Sequence, residues 1–285
     1  MATAGNDFLT VLRYGQTLTL DGLGGTDTLN FDRLSQSSFT ITQGADGYIH
    51  VDSVSGASST FHFKLVNVEK LLFRSGRDSV DLTTLFPAGT DGNDTLNGTA
   101  GNDTLNGKAG IDTLVHAGSR AHCTLSSSGS SYTVTDTTGA AGIDTLTSIE
   151  RISFADGMLA LDLDGNAGKV VKALGAVFGA ASVHNQQYVG IGLSLLDGGM
   201  GYEALCQLAV EATGKTSNAD IVQLLWNNVV GSPISTSNKA EFVGLLQNGM
   251  TVGALAMMAA DTALNTANIG LVGLQQTGIE YLPAG

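Results

Sequence analysis

Three nine-residue units follow one another without interruption at residues 89–115, and their period constrains the fold more than any other feature of the chain. They read GTDGNDTLN, GTAGNDTLN and GKAGIDTLV. Glycine stands first and fourth in each unit, aspartate sixth, and a large apolar residue eighth. Glycine permits the positive φ angles of tight turns, and one apolar side chain per unit can point into a narrow core. The period therefore predicts a stack of short strands joined by Gly/Asp turns.

Such a stack brings oxygen atoms close together. Each turn contributes an aspartate carboxylate, and its backbone carbonyls face outward. Carboxylate and carbonyl oxygens suit Ca²⁺ better than a transition metal, and without a cation the stacked carboxylates repel one another. A metal-free loop rich in Gly and Asn is the alternative. The predicted calcium-site residues of the three units are Gly89, Asp91, Gly92, Asp94, Gly98, Gly101, Asp103, Gly107, Gly110 and Asp112.

On these residues the chain resembles the RTX (haemolysin-type) calcium-binding repeat family, whose nonapeptides wind a parallel β-roll with Ca²⁺ between successive turns. The resemblance implies that a calcium ion is shared by units one and three. This arrangement pairs Asp94 with Asp112 and leaves Asp103 to a unit outside the run. The family's glycine at the second position is replaced here by Thr90, Thr99 and Lys108.

Isolated units of the same pattern occur elsewhere before residue 164. They add Asp7, Asp27 and Asp144 as predicted calcium ligands. The spacing of 20 residues between Asp7 and Asp27 breaks the nine-residue period. For Asp144 the alternative is a turn residue that precedes a strand.

The stretch LDLDGNAG at residues 161–168 offers a different kind of candidate calcium site. Asp162, Asp164 and Asn166 alternate there as in the first half of an EF-hand loop. The glutamate that would complete such a loop is missing, because Ala173 occupies its place. The alternative is a turn in which Asp164 or Asn166 caps the next helix.

The composition changes near residue 164, from segments rich in Thr, Ser, Val and Phe to Ala/Leu/Val runs with helical spacing. Before that point the sequence repeats on a larger scale: VEKLLF at 68–73 is echoed by IERISF at 149–154, and each reads as an ordinary salt-bridged edge strand. We expect a multidomain α and β protein with RTX-type parallel β-roll turns in two tandem modules. The expected parts are a first β module at 1–88, the nonapeptide repeats with a second β module at 89–164, and an all-α domain of five to seven helices at 165–285.

The helical part resembles the C-terminal domains that follow RTX repeats in type I-secreted proteins of Gram-negative bacteria. The resemblance is carried by stretches such as LWNNVVGSP at 225–233 and GLQQTGIEY at 273–281. It implies export by type I secretion machinery, which reads an uncleaved C-terminal segment. No N-terminal secretory signal and no apolar run of about 18 residues is found in the sequence.

The charge balance restricts the partners. The chain has 13 Lys and Arg against 26 Asp and Glu, a formal net charge of −13, which argues against nucleic acid and suits a cation. Neither His-Glu-x-x-His nor Gly-x-Ser-x-Gly occurs, and we expect no enzyme activity.

The five histidines are scattered along the sequence, and His50 and His62 are expected on β surfaces. We therefore expect no zinc site formed by histidines. Cys123 and Cys206 fall in different expected domains, so we expect no disulfide.

These observations favour a secreted calcium-binding structural protein that self-assembles on or outside the cell, as a surface layer, sheet or filament. It would fold on calcium after type I secretion. Its expected partners are other copies of itself, the secretion machinery and the cell surface. A calcium-dependent adhesin or ligand-binding module is the alternative, and an enzyme without a recognised motif, or the delivery part of one, is a third. The start at Met1 within a repeat-like unit is expected of a complete small protein or of an excised piece.

Overall fold

The structure is a computed structural model that describes residues 3, 5–10, 17–23, 26–43, 48–54, 61–66, 68–82, 89–98 and 100–284. The described part is rich in β-strands before residue 164 and has eight α-helices after it. Contacts divide the chain into two compact units, Met1–Ala88 with Asp103–Leu105, and Gly89–Asn102 with Asn106–Gly285.

The strands are short, as the spacing of the turn residues predicts. They are β1 (Phe8–Thr10), β2 (Thr17–Asp21), β3 (Thr28–Asn30), β4 (Phe39–Gln43), β5 (Ile49–Ser53), β6 (His62–Val66), β7 (Lys70–Phe73), β8 (Asp78–Asp81), β9 (Thr95–Asn97), β10 (Thr104–Asn106), β11 (Thr113–Val115), β12 (Cys123–Ser128), β13 (Ser131–Asp136), β14 (Ile143–Thr147), β15 (Arg151–Phe154), β16 (Gly157–Ala160) and β17 (Ile279–Tyr281).

The first unit contains two four-stranded sheets, with strand orders β1-β3-β7-β8 and β2-β6-β5-β4. Strands β1, β3 and β7 are parallel, and β8 returns antiparallel to β7. The core of the unit is aromatic: Phe31 stacks on Phe73 with ring centroids 4.9 Å apart and meets Phe63 edge to face at 5.5 Å. Fully buried aromatic pairs of this kind stabilise a small β core beyond the area that they bury.

The second unit contains a five-stranded sheet of order β17-β16-β15-β11-β9. Strands β9, β11 and β15 are parallel, whereas β16 is antiparallel to both β15 and β17. Strands β12, β13 and β14 form an antiparallel meander. The described sheets are mixed and open, so the closed parallel β-roll stays a prediction.

The eight helices are separated by turns that the sequence marks clearly. Gly214, Gly231 and Gly249 adopt φ angles of 72°, 73° and 101°, which glycine tolerates best. The helices are α1 (Asn166–Phe178), α2 (Gln186–Asp197), α3 (Tyr202–Ala212), α4 (Asn218–Val229), α5 (Thr236–Gln247), α6 (Val252–Ala260), α7 (Ala263–Asn268) and α8 (Leu271–Thr277).

The expectation of five to seven helices was too low, because α7 and α8 are short helices of six and seven residues. Gly270, with φ 65°, separates them. Three of the longer helices begin at polar caps: the side chains of Ser217, Ser235 and Thr251 accept hydrogen bonds from backbone N–H groups in the first turns of α4, α5 and α6.

The helices and the strands around them share one core. Ala160 of β16 and Ile279 and Tyr281 of β17 belong to the same buried cluster as the apolar faces of α1 to α4. This shared core is why residues on both sides of 164 fall in one compact unit, and the predicted division into three domains stays a prediction. Both Cys123 and Cys206 are buried and free. Within the described chain, none of the helices has the length and hydropathy that crossing a membrane requires.

Candidate metal centre

The first and third nonapeptide units are stacked on each other in register. Strands β9 and β11 pair in parallel with Thr95 opposite Thr113. The backbone N–H of Asp94 donates a 2.8 Å hydrogen bond to Oδ1 of Asp112, and the N–H of Thr113 donates to the carbonyl of Asp94 at 2.8 Å. The structure therefore brings together Asp94 and Asp112, the pair that the family resemblance implied.

The apolar position of each unit explains why this register is kept. Leu96, Leu105 and Leu114 are 9%, 0% and 0% exposed. A shift of one residue would move each leucine to the opposite face of its strand. The register that buries the leucines also stacks the turns, so the apolar and the acidic halves of the pattern act together.

A glutamate continues the stack beyond the third unit. The N–H of Asp112 donates a 2.8 Å hydrogen bond to Oε2 of Glu150. In return, the N–H groups of Glu150 and Arg151 donate to the carbonyl of Asp112 at 3.1 and 2.9 Å. In the sequence, Glu150 reads as part of an ordinary salt-bridged edge strand, so its contact with Asp112 was not predicted. The echo between VEKLLF and IERISF was the signal that could have revealed it.

The first compact unit contains the same ladder of acidic residues. The N–H of Asp7 donates to Oδ1 of Asp27 at 2.7 Å, and the N–H of Asp27 donates to Oε2 of Glu69 at 2.6 Å. The sequence separations are 20 and 42 residues, against 18 and 38 in the second unit. We call Asp7–Asp27–Glu69 the first ladder and Asp94–Asp112–Glu150 the second ladder.

Each ladder holds one carboxylate oxygen without a hydrogen-bond partner among the described residues. Asp27 and Asp112 are both 0% exposed, and their Oδ2 atoms are buried and unpartnered. Leaving a buried polar atom unsatisfied costs about 1–3 kcal/mol, and more for a charged group. A cation bound at Oδ2 would remove this cost.

The space beside Asp112 is bordered by oxygen atoms. A Cβ atom added at Gly107 would meet the carbonyl oxygen of Ser148 and Oδ2 of Asp112, and one added at Gly89 would meet the carbonyl of Gly107 and lie 2.9 Å from Oδ2 of Asp94. Only glycine leaves this space open. Carboxylate and carbonyl oxygens that converge on such a space form the hard ligand set preferred by Ca²⁺, so the residues present fit calcium.

Burial changes the acidity of the second ladder. It raises the pKa of Asp112; the hydrogen bond from the N–H of Asp94 lowers the pKa and the charge of Asp94 raises it. Burial likewise raises the pKa of Glu150, which also lies near the charges of Asp112 and Asp162. The metal-free ladder therefore disfavours its own charged form, and a divalent cation would reverse this preference.

The second nonapeptide unit stacks on a unit outside the tandem run, as the resemblance implied. The N–H of Ile143 donates to Oδ1 of Asn102 at 2.8 Å, and a Cβ at Gly142 would lie 2.5 Å from the carbonyl of Gly101.

The remaining predicted calcium-site residues differ in burial. Asp144 lies within β14 and is 1% exposed, so it is not a turn residue that precedes a strand. Asp103 is also buried, whereas Asp91 is exposed. Gly98, like Gly89 and Gly107, donates its backbone N–H to a strand carbonyl.

At the junction, the three predicted EF-hand-like residues do not converge on a common point. Asp162 receives hydrogen bonds from Nη1 of Arg151 and from the N–H of Asn166 at 2.8 Å, so it caps α1. Nδ2 of Asn166 donates to Asp197 at 2.9 Å, and Asp164 is exposed. Neither Asp164 nor Asn166 caps α1 through its side chain: the N-cap position is Gly165, and the carboxylate of Asp162 accepts the first two N–H groups of the helix. The prediction of a calcium site here stays untested.

Comparisons with known proteins agree with this location of the site. Residues 88–114 match the family described as RTX calcium-binding nonapeptide repeat (4 copies). No curated protein sequence matches the chain.

Among solved structures, the chain is similar to the extracellular lipase LipA from Serratia marcescens, with 15% sequence identity and a TM-score of 0.21. The match covers 52% of this chain and 37% of the lipase chain. At that TM-score the likeness carries no argument about fold or activity.

Proposed function

We propose, because the chain carries RTX calcium-binding nonapeptide repeats and Ca²⁺ is the ion of such repeats, that it is a secreted structural protein whose β modules become rigid on calcium. In this proposal, copies of the rigid protein then assemble outside the cell. The observation that carries the calcium step is the buried Oδ2 of Asp112, which has no hydrogen-bond partner among the described residues.

The residues that would hold calcium in the second unit are Asp94 and Asp112, with the carbonyls of Gly107 and Ser148 beside them. Glu150 receives the N–H of Asp112 and orients that residue. The ion supplies positive charge that offsets the repulsion among the carboxylates. The first ladder repeats these contacts at Asp7, Asp27 and Glu69, and it supports the proposal of a second calcium-dependent element.

Calcium binding would stabilise only the folded state, so the binding free energy adds to the free energy of unfolding. Where calcium is scarce, the two ladders would hold repelling carboxylates and the β modules would be loose. This condition suits passage through a secretion channel. Where calcium is abundant, the same residues would hold the turns together. RTX repeats are typical of proteins exported by type I secretion, and this supports the proposed location outside the cell.

Self-assembly is supported by the surface of the second unit. Val272 is 74% exposed, and Leu264 and Met258 are 47% and 43% exposed. The net charge of −13 keeps neighbouring copies apart, and bound calcium would offset part of that charge. We propose no enzymatic activity, because the sequence contains no recognised hydrolase or metalloprotease motif.

The test is size-exclusion light scattering combined with negative-stain microscopy, first in millimolar Ca²⁺ and then with a chelator. Sheets or filaments that form with calcium and dissolve on chelation are expected. A calcium-bound protein that stays monomeric at all concentrations would contradict self-assembly and would favour a calcium-dependent binding module instead. The calcium step is tested separately, by the unfolding measurements described in the Discussion.

A further inference from the structure

Two histidines and an aspartate lie together on one face of the β2-β6-β5-β4 sheet. Strands β5 and β6 are antiparallel, and Asp52 is directly opposite His62. Val51 and Phe63, which alternate with these residues, are buried in the core. His50 therefore shares the outer face with Asp52 and His62. Both histidines were expected on β surfaces without a metal site, because the sequence does not reveal which strands pair in this sheet.

The donor atoms of these three side chains are close enough for a single ion. Each residue offers one ligand atom, and the three atoms lie within 4.8 Å of one another. His62 Nδ1 and Asp52 Oδ1 are already in hydrogen-bond contact. The ring centroids of His50 and His62 are 5.4 Å apart, with their planes at 63°. Two imidazoles bound at about 2.1 Å to one tetrahedral ion would have centroids about 5 Å apart, so small side-chain rotations suffice.

We propose that His50, Asp52 and His62 bind a transition-metal dication, with Zn²⁺ as the representative ion. Two imidazole nitrogens and one carboxylate are ligands that favour Zn²⁺, Cu²⁺ or Ni²⁺ over Ca²⁺. The ligand set thus differs from that of the two acidic ladders, which offer oxygen atoms alone. The site is independent of the calcium ladders.

Solvent access supports binding of an ion with open coordination positions. The side chains of His62 and Asp52 are 37% and 39% exposed, so water can complete the coordination shell. On binding, the ion replaces the hydrogen bond between His62 Nδ1 and Asp52 Oδ1: a neutral His62 that carries its proton on Nδ1 transfers it through solvent to Nε2, and a protonated His62 releases one proton to solvent. The hydrated ion loses water ligands as the two imidazole nitrogens and the carboxylate oxygen bind it.

One positive charge faces the same side of the sheet. Lys64 is opposite His50 in the pairing of β5 with β6, and its Nζ lies 5.6 Å from the ring centroid of Tyr48. The positive charge of Lys64 on this face opposes the approach of a dication. Binding depends mainly on the two imidazoles, and histidine substitutions should weaken it more than a change in ionic strength.

The experiment is isothermal titration of the full chain with Zn²⁺ at slightly alkaline pH, with Ca²⁺ in excess to occupy the oxygen sites. One Zn²⁺ site is expected in the unmodified protein. His50→Asn and His62→Asn should each weaken Zn²⁺ binding at least tenfold. His184→Asn, which changes an exposed histidine in the second unit, should leave the affinity unchanged. Circular dichroism checks that each variant is folded.

Two results would overturn the proposal: no Zn²⁺ binding by the unmodified protein, or unchanged binding by both site variants. Electron paramagnetic resonance of bound Cu²⁺ provides a test that needs no variant. Hyperfine structure from two imidazole nitrogens is expected. A spectrum that shows only oxygen ligands would also overturn it.

Discussion

The backbone N–H of Asp112 donates a 2.8 Å hydrogen bond to Oε2 of Glu150, 38 residues further along the chain. This contact joins the nonapeptide repeats to the residue that immediately precedes β15. It orients the buried carboxylate of Asp112, whose Oδ1 receives the N–H of Asp94. The other oxygen, Oδ2, borders the space beside Gly107, as does the carbonyl oxygen of Ser148. The hydrogen bonds of the ladder thus leave Oδ2 of Asp112 available to a cation.

Glu150→Gln tests the contribution of the glutamate charge. Glutamine retains an oxygen that accepts the N–H of Asp112 but removes a negative charge beside the ion. We expect calcium affinity to fall about tenfold, which equals about 1.4 kcal/mol, while the metal-free protein is unchanged or slightly more stable. Isothermal titration with Ca²⁺ measures the calcium affinity, and urea unfolding in the presence of a chelator measures the stability of the metal-free protein. Equal calcium affinities for the variant and the unmodified protein would show that Glu150 has only a backbone role.

Gly107→Ala tests the space beside Asp112. The added methyl group would meet the carbonyl of Ser148 and Oδ2 of Asp112, so we expect calcium binding to be lost and the second β module to be destabilised. Gly157→Ala is the matched control, because a Cβ at Gly157 has no neighbour within 4 Å. Isothermal titration with Ca²⁺ compares the calcium affinities of the two variants; only Gly107→Ala is expected to lose binding. Loss of binding in the Gly157 variant as well would mean that alanine substitution in this unit acts through general unfolding.

The contribution of Asp112 and Glu150 to the free energy of unfolding should fall with rising pH in the metal-free protein and rise with pH in the presence of calcium. Burial raises the folded-state pKa of Asp112 and of Glu150 above their ordinary values. A carboxyl with a raised folded pKa binds more protons when folded, so without metal its contribution is favourable below the unfolded pKa and is lost as pH rises through the folded pKa. Calcium requires the charged form. The stability added by calcium should therefore be present at neutral pH and be lost as pH falls through the raised pKa values.

Thermal unfolding with calcium and with chelator, measured from neutral pH down to about pH 4, checks this expectation. The two melting curves should converge on acidification. Asp136 behaves oppositely, because hydrogen bonds from the side chain and backbone of Thr138 lower its pKa. Its stabilising contribution is lost only at pH values below its ordinary pKa of 3.8, outside this window. A calcium effect that is constant over the whole range would contradict the assignment of the ladder.

Arg151 should be the most sensitive charged residue between the strands and the helices. Its side chain is 3% exposed and pairs with Asp162 and, at 2.9 Å, with Asp197. Arg151→Met would leave Asp162 buried without its cation, and breaking a buried pair in this way costs about 3–5 kcal/mol. The control is Lys172→Met, because its pair with Asp261 is partly exposed and such pairs contribute about 0–1 kcal/mol. Urea unfolding in calcium compares the two; equal losses would contradict the prediction.

The sequence predicted the local order of the molecule well. The nine-residue period predicted the stacked Gly/Asp turns, since one leucine per unit determines which face of each strand is buried, and the RTX resemblance implied the pairing of Asp94 with Asp112. Glycines with positive φ and the caps at Ser217 and Thr251 gave most helix limits, because these signals depend on a few neighbouring residues. The β-rich first part and the helical second part followed from the same local patterns.

The parts that the sequence could not predict depend on contacts between distant residues. Glu69 and Glu150 join their ladders through strand pairing over 42 and 38 residues, which no local pattern reveals. Asp162 caps α1 where Asp164 or Asn166 was expected, because Arg151 of β15 holds its carboxylate at the start of the helix. The association of His50 with His62 likewise results from the pairing of β5 with β6.

The central claim is that calcium completes the Asp94–Asp112–Glu150 ladder. It is tested most directly by the free energy of unfolding in urea, with calcium and with chelator, for the unmodified protein and for Asp112→Asn. At a calcium concentration about 100 times the Kd, a single site adds about 2.7 kcal/mol, and we predict that Asp112→Asn loses most of this increment. The exposed Asp164→Asn should retain it. An equal increment in all three proteins would contradict the claim and would place the ion elsewhere.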